Sequence, residues 1–277
     1  MSVPFALPSA LSYGIADFAG GLAARRTPVL VVTTLAQAAG FVALVPTVLL
    51  LPGELSLAAV GWGLAASVAG VTGLMLYLRG LAVGPMGIVA PLSAVVGAGL
   101  PLLVGVIGGE RPGPVAWFAM ALALAAIVMA TMGTDRTAGA RGGVLLGLAA
   151  GIGFGLFFVA LDASPADSGM WPQLAGRCAA TLVLGAIVLA SRGMRGAPVR
   201  PALGLIVASG VLDTFANALF LVATRLGDLG LTSVVVSLYP VVVVVLARLV
   251  LGERLTRLQL TGTGLALGAS ALLAAAG

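Results

Sequence analysis

Ten apolar runs of about twenty residues, separated by short breaks, fill this chain of 277 residues from end to end. That pattern restricts the fold more than any other feature. A helix rises about 1.5 Å per residue and the hydrocarbon core of a bilayer is about 30 Å thick, so about 20 apolar residues cross it. The runs fall at 4–24, 28–51, 57–78, 86–108, 113–133, 142–162, 170–191, 202–224, 229–251 and 256–276. Between them stand breaks such as RRTP, LPGE, GGERPGP, TDRTAGAR and LGERLT. Membrane strands would alternate polar and apolar residues over about ten positions; these runs do not. The fold class expected is an all-α membrane protein with ten transmembrane helices. Charge supports it. Only 8% of the residues are charged and 60% are hydrophobic, whereas a soluble domain carries about 25% charged residues. The N-terminus has no basic region of a signal peptide, and the first run reads as the first span.

The same composition removes most enzyme chemistry. There is no histidine, which excludes histidine-based triads, HExxH zinc sites and haem ligation through histidine. Cys178 is the one cysteine, so no internal disulfide or CxxC redox pair can form. No cofactor or metal site is expected. All 14 basic residues are arginines, scattered or in short clusters at the edges of apolar runs. They read as topology signals rather than as a nucleic-acid surface. Forty glycines suit close helix packing in lipid, with small-xxx-small spacing at Gly147, Gly151 and Gly155.

The chain also repeats itself. GPMGIVAPLSAVVGAGLPLLVGVIGGER at 84–111 aligns without gaps with GDLGLTSVVVSLYPVVVVVLARLVLGER at 227–254, an offset of 143 residues. Gly84 then meets Gly227, Gly87 meets Gly230, and the two GER triplets coincide. Tyr77 meets Phe220 at the same offset, and slightly smaller offsets place Gly14 against Gly155 and Gln37 against Arg177. Two units follow, 1–135 and 136–277. Each has five spans, and an odd number makes the halves enter the membrane in opposite directions. Inverted repeats are typical of secondary transporters, whose site lies near midplane between them.

An ionisable residue at mid-span costs at least about 2.5–3.5 kcal/mol on insertion scales, so its default reading is functional. Asp17, Arg177 and Asp213 lie inside spans 1, 7 and 8; Arg79, Asp162 and Arg225 lie at span ends and can reach the interface. Asp17 shares a helix face with Tyr13, Gly14, Gly20 and Gly21, which suits a carboxylate facing a cavity. It reads as acceptor of a proton or cation, or as anchor for a substrate amine. Asp213 shares its face with Gly210 and Asn217 and could bind an ammonium or a hydroxyl, or hold a neighbouring helix. Arg177 reads equally as a structural partner of one of the two carboxylates. Gln37 and Tyr77, set opposite Arg177 and Phe220 by the repeat, join Ser237 and Tyr239 in the candidate binding set. Pro91 and Pro240 interrupt spans 4 and 9 and read as kinks or gating points. Glu110 and Glu253 follow helix-ending glycines and read as structural turns, each acidic group beside the start of the next helix.

These features resemble the EamA-type members of the drug/metabolite transporter superfamily. The likeness rests on YG at 13–14, Arg177, LYP at 238–240, GER at 109–111 and 252–254, and Gln259 and Gly262, and covers essentially the whole chain as two five-helix units. The first half departs from the pattern, with Gly97 opposite Pro240 and Gln37 opposite Arg177. The resemblance implies a secondary transporter, an exporter by preference, moving small metabolites such as amino acids or drugs across a bacterial plasma (inner) membrane. Alternating access would be driven by a proton gradient or by exchange, with spans 1, 3, 4, 6, 8 and 9 lining the cavity. Its partners would be a small-molecule substrate, the lipid bilayer and a coupling proton, with no nucleic acid, in a monomer or homodimer. Two other readings are an intramembrane aspartyl hydrolase built on Asp17 and Asp213, and a membrane sensor or scaffold without transport. Arginines concentrate in loops after odd-numbered spans, which puts both termini outside; the resemblance puts them inside.

Overall fold

The computed structural model describes residues 3–50, 53–109, 111, 113–132, 138–191, 198–226, 235–236 and 238–276. Among these residues the α-helices are α1 (Val3–Ala24), α2 (Val29–Leu50), α3 (Leu57–Val83), α4 (Met86–Ile107), α5 (Pro114–Met132), α6 (Ala138–Asp162), α7 (Trp171–Ala190), α8 (Leu203–Leu226), α9 (Tyr239–Leu251) and α10 (Arg257–Ala276). They follow the ten apolar runs closely. Two depart from them: α3 continues to Val83, so Arg79 is an exposed residue within the helix rather than beyond its end, and α9 begins at Tyr239, ten residues into the run at 229–251, of which 229–234 and 237 lie outside the described residues. Single 3₁₀ turns precede α7 and α8.

Local chemistry explains the ends. Ser56 caps α3 by accepting a hydrogen bond from the Ala59 amide at 3.1 Å. Thr256 and Gln259 form a reciprocal capping box at the start of α10, at 3.2 and 2.9 Å. Gly252 adopts the left-handed conformation (φ 66°) that closes α9, a geometry costly to any residue with a Cβ. The prolines differ from their expected role. α4 runs unbroken through Pro91, and Pro240 is the second residue of α9, where a missing amide costs nothing.

Among the described residues, six helical stretches are long and apolar enough to cross a membrane, and α5 and α9 contribute shorter apolar stretches. The outer surface agrees with a lipid solvent. Leu57, Leu49, Val68, Leu145, Leu182 and Leu249 each expose two thirds or more of their surface, which water would penalise by about 25 cal/mol per Å². The chain is a multi-pass membrane protein.

Glycines set the helix spacing. A Cβ on Gly153 of α6 would fall 2.6 Å from the Cα of Gly73 on α3, and one on Gly143 would fall 2.6 Å from the Cα of Gly84. A Cβ on Gly176 of α7 would fall 2.7 Å from the carbonyl of Gly63 on α3. On α8, Gly210 lies against the carbonyl of Ala36 on α2 in the same way. Successive contacts give the directions. Gly73 meets Gly153 and Gly84 meets Gly143, so α3 and α6 run antiparallel. Asp17 meets Tyr77 and Gly21 meets Leu81, so α1 and α3 run parallel. α3 packs on α6 as α8 packs on α1, and α3 packs on α7 as α8 packs on α2, while α2–α7, α4–α9 and α5–α10 pair directly.

Gly153→Val should destabilise the bundle by about 1–3 kcal/mol, the usual penalty of overpacking, and lower Tm in detergent. Gly185→Ala, where the added methyl meets open space, should leave Tm unchanged or raise it.

Candidate functional site

The titratable residues picked out in the spans converge between α1, α2, α3, α7, α8 and α9. Asp17 on α1 accepts a hydrogen bond from the Tyr77 hydroxyl of α3 at 2.8 Å. Tyr77 is buried, its ring set edge-on against Phe154 of α6 with centroids 5.5 Å apart, and the Ser93 hydroxyl of α4 is a further hydrogen-bonding neighbour. Tyr13, one turn before Asp17, packs on Tyr239 at the start of α9, centroids 5.9 Å apart. Gly14 makes that approach possible, since a Cβ there would fall 2.8 Å from the Tyr239 carbonyl.

A second group adjoins the first. Arg177 of α7 forms an ion pair with Asp213 of α8 and donates to the Gln37 side chain of α2 at 3.2 Å. Asn217, one turn along α8, donates to the Asp213 carbonyl at 2.7 Å and more weakly to its carboxylate at 3.4 Å. Thr214 donates to the Gly40 carbonyl of α2 at 3.1 Å, fastening α8 to α2 beside the ion pair. Asp17 and Asp213 lie within electrostatic reach of each other and of Tyr239. Among the described residues no hydrogen bond joins the two carboxyls; each has its own partner. A hydrolase dyad, which needs one proton shared between them, lacks its geometry.

Charge is distributed unevenly across this centre. The Arg177 guanidinium neutralises Asp213. Asp17 has no cationic partner among the described residues, only a phenol. The structure thus draws Asp17, Tyr13, Tyr77, Gln37, Arg177, Asp213, Asn217 and Tyr239 into one region. Ser237 and Glu110 lie outside the described residues. Pro91 is buried on α4 two residues before Ser93. Ser93 and Phe154 complete the surroundings of Tyr77. Phe154 lies one residue before Gly155, the partner the repeat assigns to Gly14, but an apolar ring there gives no sequence signal.

Glu253 departs from its expected place. It does not serve the helix that follows it. Its carboxylate accepts hydrogen bonds from the Met86 and Gly87 amides at 3.1 and 3.2 Å, the first turn of α4 in the other half, and pairs with Arg25 at 3.2 Å. The acidic group still meets a helix N-terminus, but one supplied from a distance in sequence. α10 caps itself with Thr256 and Gln259.

A helical bundle with an apolar exterior and a polar, charge-bearing interior is the build of a multi-pass membrane protein. The comparisons agree. Residues 141–275, nearly half of the chain, match the model of the EamA-like transporter family. That match supports an EamA-type transporter of the drug/metabolite transporter superfamily. One solved crystal structure aligns with 98% of this chain and 96% of its own, with a TM-score of 0.58 and 17% identity, a likeness of fold alone. The search of curated proteins gives no match.

Arg177→Met should lower Tm in detergent, because it leaves the Asp213 carboxylate inside a span without its cation. Arg177→Met with Asp213→Asn should recover at least half of the loss in Tm.

Proposed function

We propose that the chain is a secondary carrier that moves a small metabolite across a bacterial plasma membrane by alternating access. It uses ten spans arranged as two inverted five-helix units, 1–135 and 136–277. Two packing relations support the inversion. α6, the first helix of the second unit, runs antiparallel to α3 and hence to α1. The pairings α3–α6 and α3–α7 recur as α8–α1 and α8–α2 when the units are exchanged. The repeat in sequence points the same way.

The observation that carries the reading is Asp17, a carboxylate with no counter-charge among the described residues, held by Tyr77 beside an already neutralised Arg177–Asp213 pair. A group of that kind binds whatever cation reaches it. A proton and a substrate ammonium compete for the same oxygens, and that competition couples their fluxes in an exchanger. Tyr13, Phe154 and Tyr239, each part-exposed, add aromatic surface suited to the apolar part of a metabolite or to a cation over a ring face. Arg177 and Asp213 act as a fixed strut between α7 and α8. Export is the direction we favour, as monomer or homodimer. Contacts between residues 25–28, 84–87, 143, 198 and 252–255 gather the odd-numbered loops at one end, where Arg25, Arg26, Arg141, Arg200 and Arg254 concentrate. The positive-inside rule makes that end cytoplasmic and leaves both termini outside.

The test is flux in proteoliposomes against a metabolite panel weighted toward amines and amino acids, with internal pH recorded. Asp17→Asn should reduce proton-linked or exchange flux at least about tenfold, a barrier change of about 1.4 kcal/mol, with the fold intact. Tyr77→Phe should reduce it several-fold. Wild-type protein with neither proton-linked nor exchange flux over the panel would overturn the carrier reading. A reporter active only in the cytoplasm, fused to the C-terminus, should stay silent.

A further inference from the structure

Glu253 leaves its own half of the molecule. α9 ends at Gly252, and the Glu253 amide closes the turn by donating to the Ala247 carbonyl at 3.2 Å. From there the carboxylate takes three donors, all from the first half. One oxygen accepts from the Met86 amide at 3.1 Å and from Arg25 at 3.2 Å; the other accepts from the Gly87 amide at 3.2 Å. Arg25 also donates from Nε to the Leu81 carbonyl near the end of α3, at 3.3 Å. A single side chain, 16% exposed, therefore gathers the end of α1, the end of α3 and the start of α4. The two amides are orphan donors of a helix N-terminus and carry its partial positive charge. No neutral side chain would hold them and Arg25 together as well.

What lies beneath matters as much. Between this clasp and Asp17 along α1 come Phe18 and Leu22. They pack with Leu81, Met86, Val89, Val243 and Ala247 in a core from which water is excluded. On the outer side, a cleft of about 580 Å³ lined by Arg248, Gly252, Glu253, Arg254 and Leu255 opens to this end of the bundle. Water thus reaches one side of Glu253, and an apolar plug stands between Glu253 and the central carboxylate.

We infer that the Glu253 clasp is a gate on the arginine-rich end of the transport path. It is closed in this conformation by Arg25 and the α4 amides, and it is released when that end opens to the central site. The inference rests on the carrier reading. The chemistry suits a reversible closure. Charge-assisted hydrogen bonds to a part-exposed carboxylate hold an end shut yet exchange readily for water. The contact also joins the two units rather than helices within one unit, so it must part if the units move against each other.

The test uses the full chain in membrane vesicles, with Cys178→Ala as background and a reporter cysteine at Leu22→Cys beneath the clasp. A membrane-impermeant maleimide is added to the arginine-rich end, and labelling rate, Tm and substrate flux are followed together. Glu253→Gln should speed labelling about tenfold by removing the charge from all three bonds. Arg25→Gln, which leaves the α4 amides capped, should speed it several-fold with little change in Tm. Folded variants that label at the parental rate would overturn the gate and leave the carrier reading intact. Loss of fold in both variants would make Glu253 a structural residue and overturn it equally. Faster labelling in a protein that transports nothing on the panel would leave the barrier standing and remove the carrier reading instead.

Discussion

Backbone-to-backbone contact between helices governs this molecule. Lipid tails are as apolar as leucine, so no hydrophobic force draws one helix to another inside a bilayer, and packing must come from close approach. Gly73 on Gly153, Gly63 on Gly176 and Gly210 on Ala36 supply that approach. Each brings two helix axes nearer than side chains would allow. The polar centre depends on it. With α8 held at Gly210 against α2, the Asp213 carboxylate and the Gln37 amide both come within reach of Arg177. Wider spacing would leave three polar groups in hydrocarbon without partners, at a cost no stability margin of a domain this size would absorb.

The two carboxylates then take different characters from their neighbours. Asp213 is tied on three sides, by Arg177, by Asn217 and through Thr214 on the adjoining turn. Moving it breaks several contacts at once. Asp17 is tied by one phenol. A carboxylate held by a single neutral donor can change partner at small cost, which is what a transported cation requires. In the carrier we propose, the paired group serves architecture and the lightly held one serves exchange.

Much of this was legible in the sequence. Nine of the apolar runs placed their helices to within about five residues, because span length is fixed by bilayer thickness and not by subtle propensities; the ninth, at 229–251, holds a described helix only from Tyr239. The charged residues inside the runs pointed to the centre for the same reason: a bilayer penalises them wherever they stand. Partner identity was not legible. Asp17 with Tyr77 and Asp213 with Arg177 are pairings across 60 and 36 positions, and helical spacing reports only neighbours on one face. Tyr13 shared a face with Asp17 yet packs on Tyr239. Glu253 misled for a related reason. The helix nearest in sequence seemed its natural partner, but α10 had Thr256 and Gln259 for that purpose, and the unfilled N-terminus belonged to α4. Pro91 read as an interruption because proline breaks helices in water; at the sixth position of α4 it removes one backbone hydrogen bond and the helix continues.

Gln37 and Arg177, which the sequence comparison sets opposite each other, touch each other in the structure; the inverted arrangement proposed above accounts for that contact. A residue near an axis of internal symmetry meets its own image. Had both halves kept arginine, two guanidinium groups would stand about 3 Å apart over one carboxylate; had both kept glutamine, Asp213 would have no cation at all. In the inverted arrangement proposed above, the two copies differ at this one place, and the polar centre is asymmetric with it: among the described residues Asp17 stands without a cation in the first half and Asp213 is neutralised in the second.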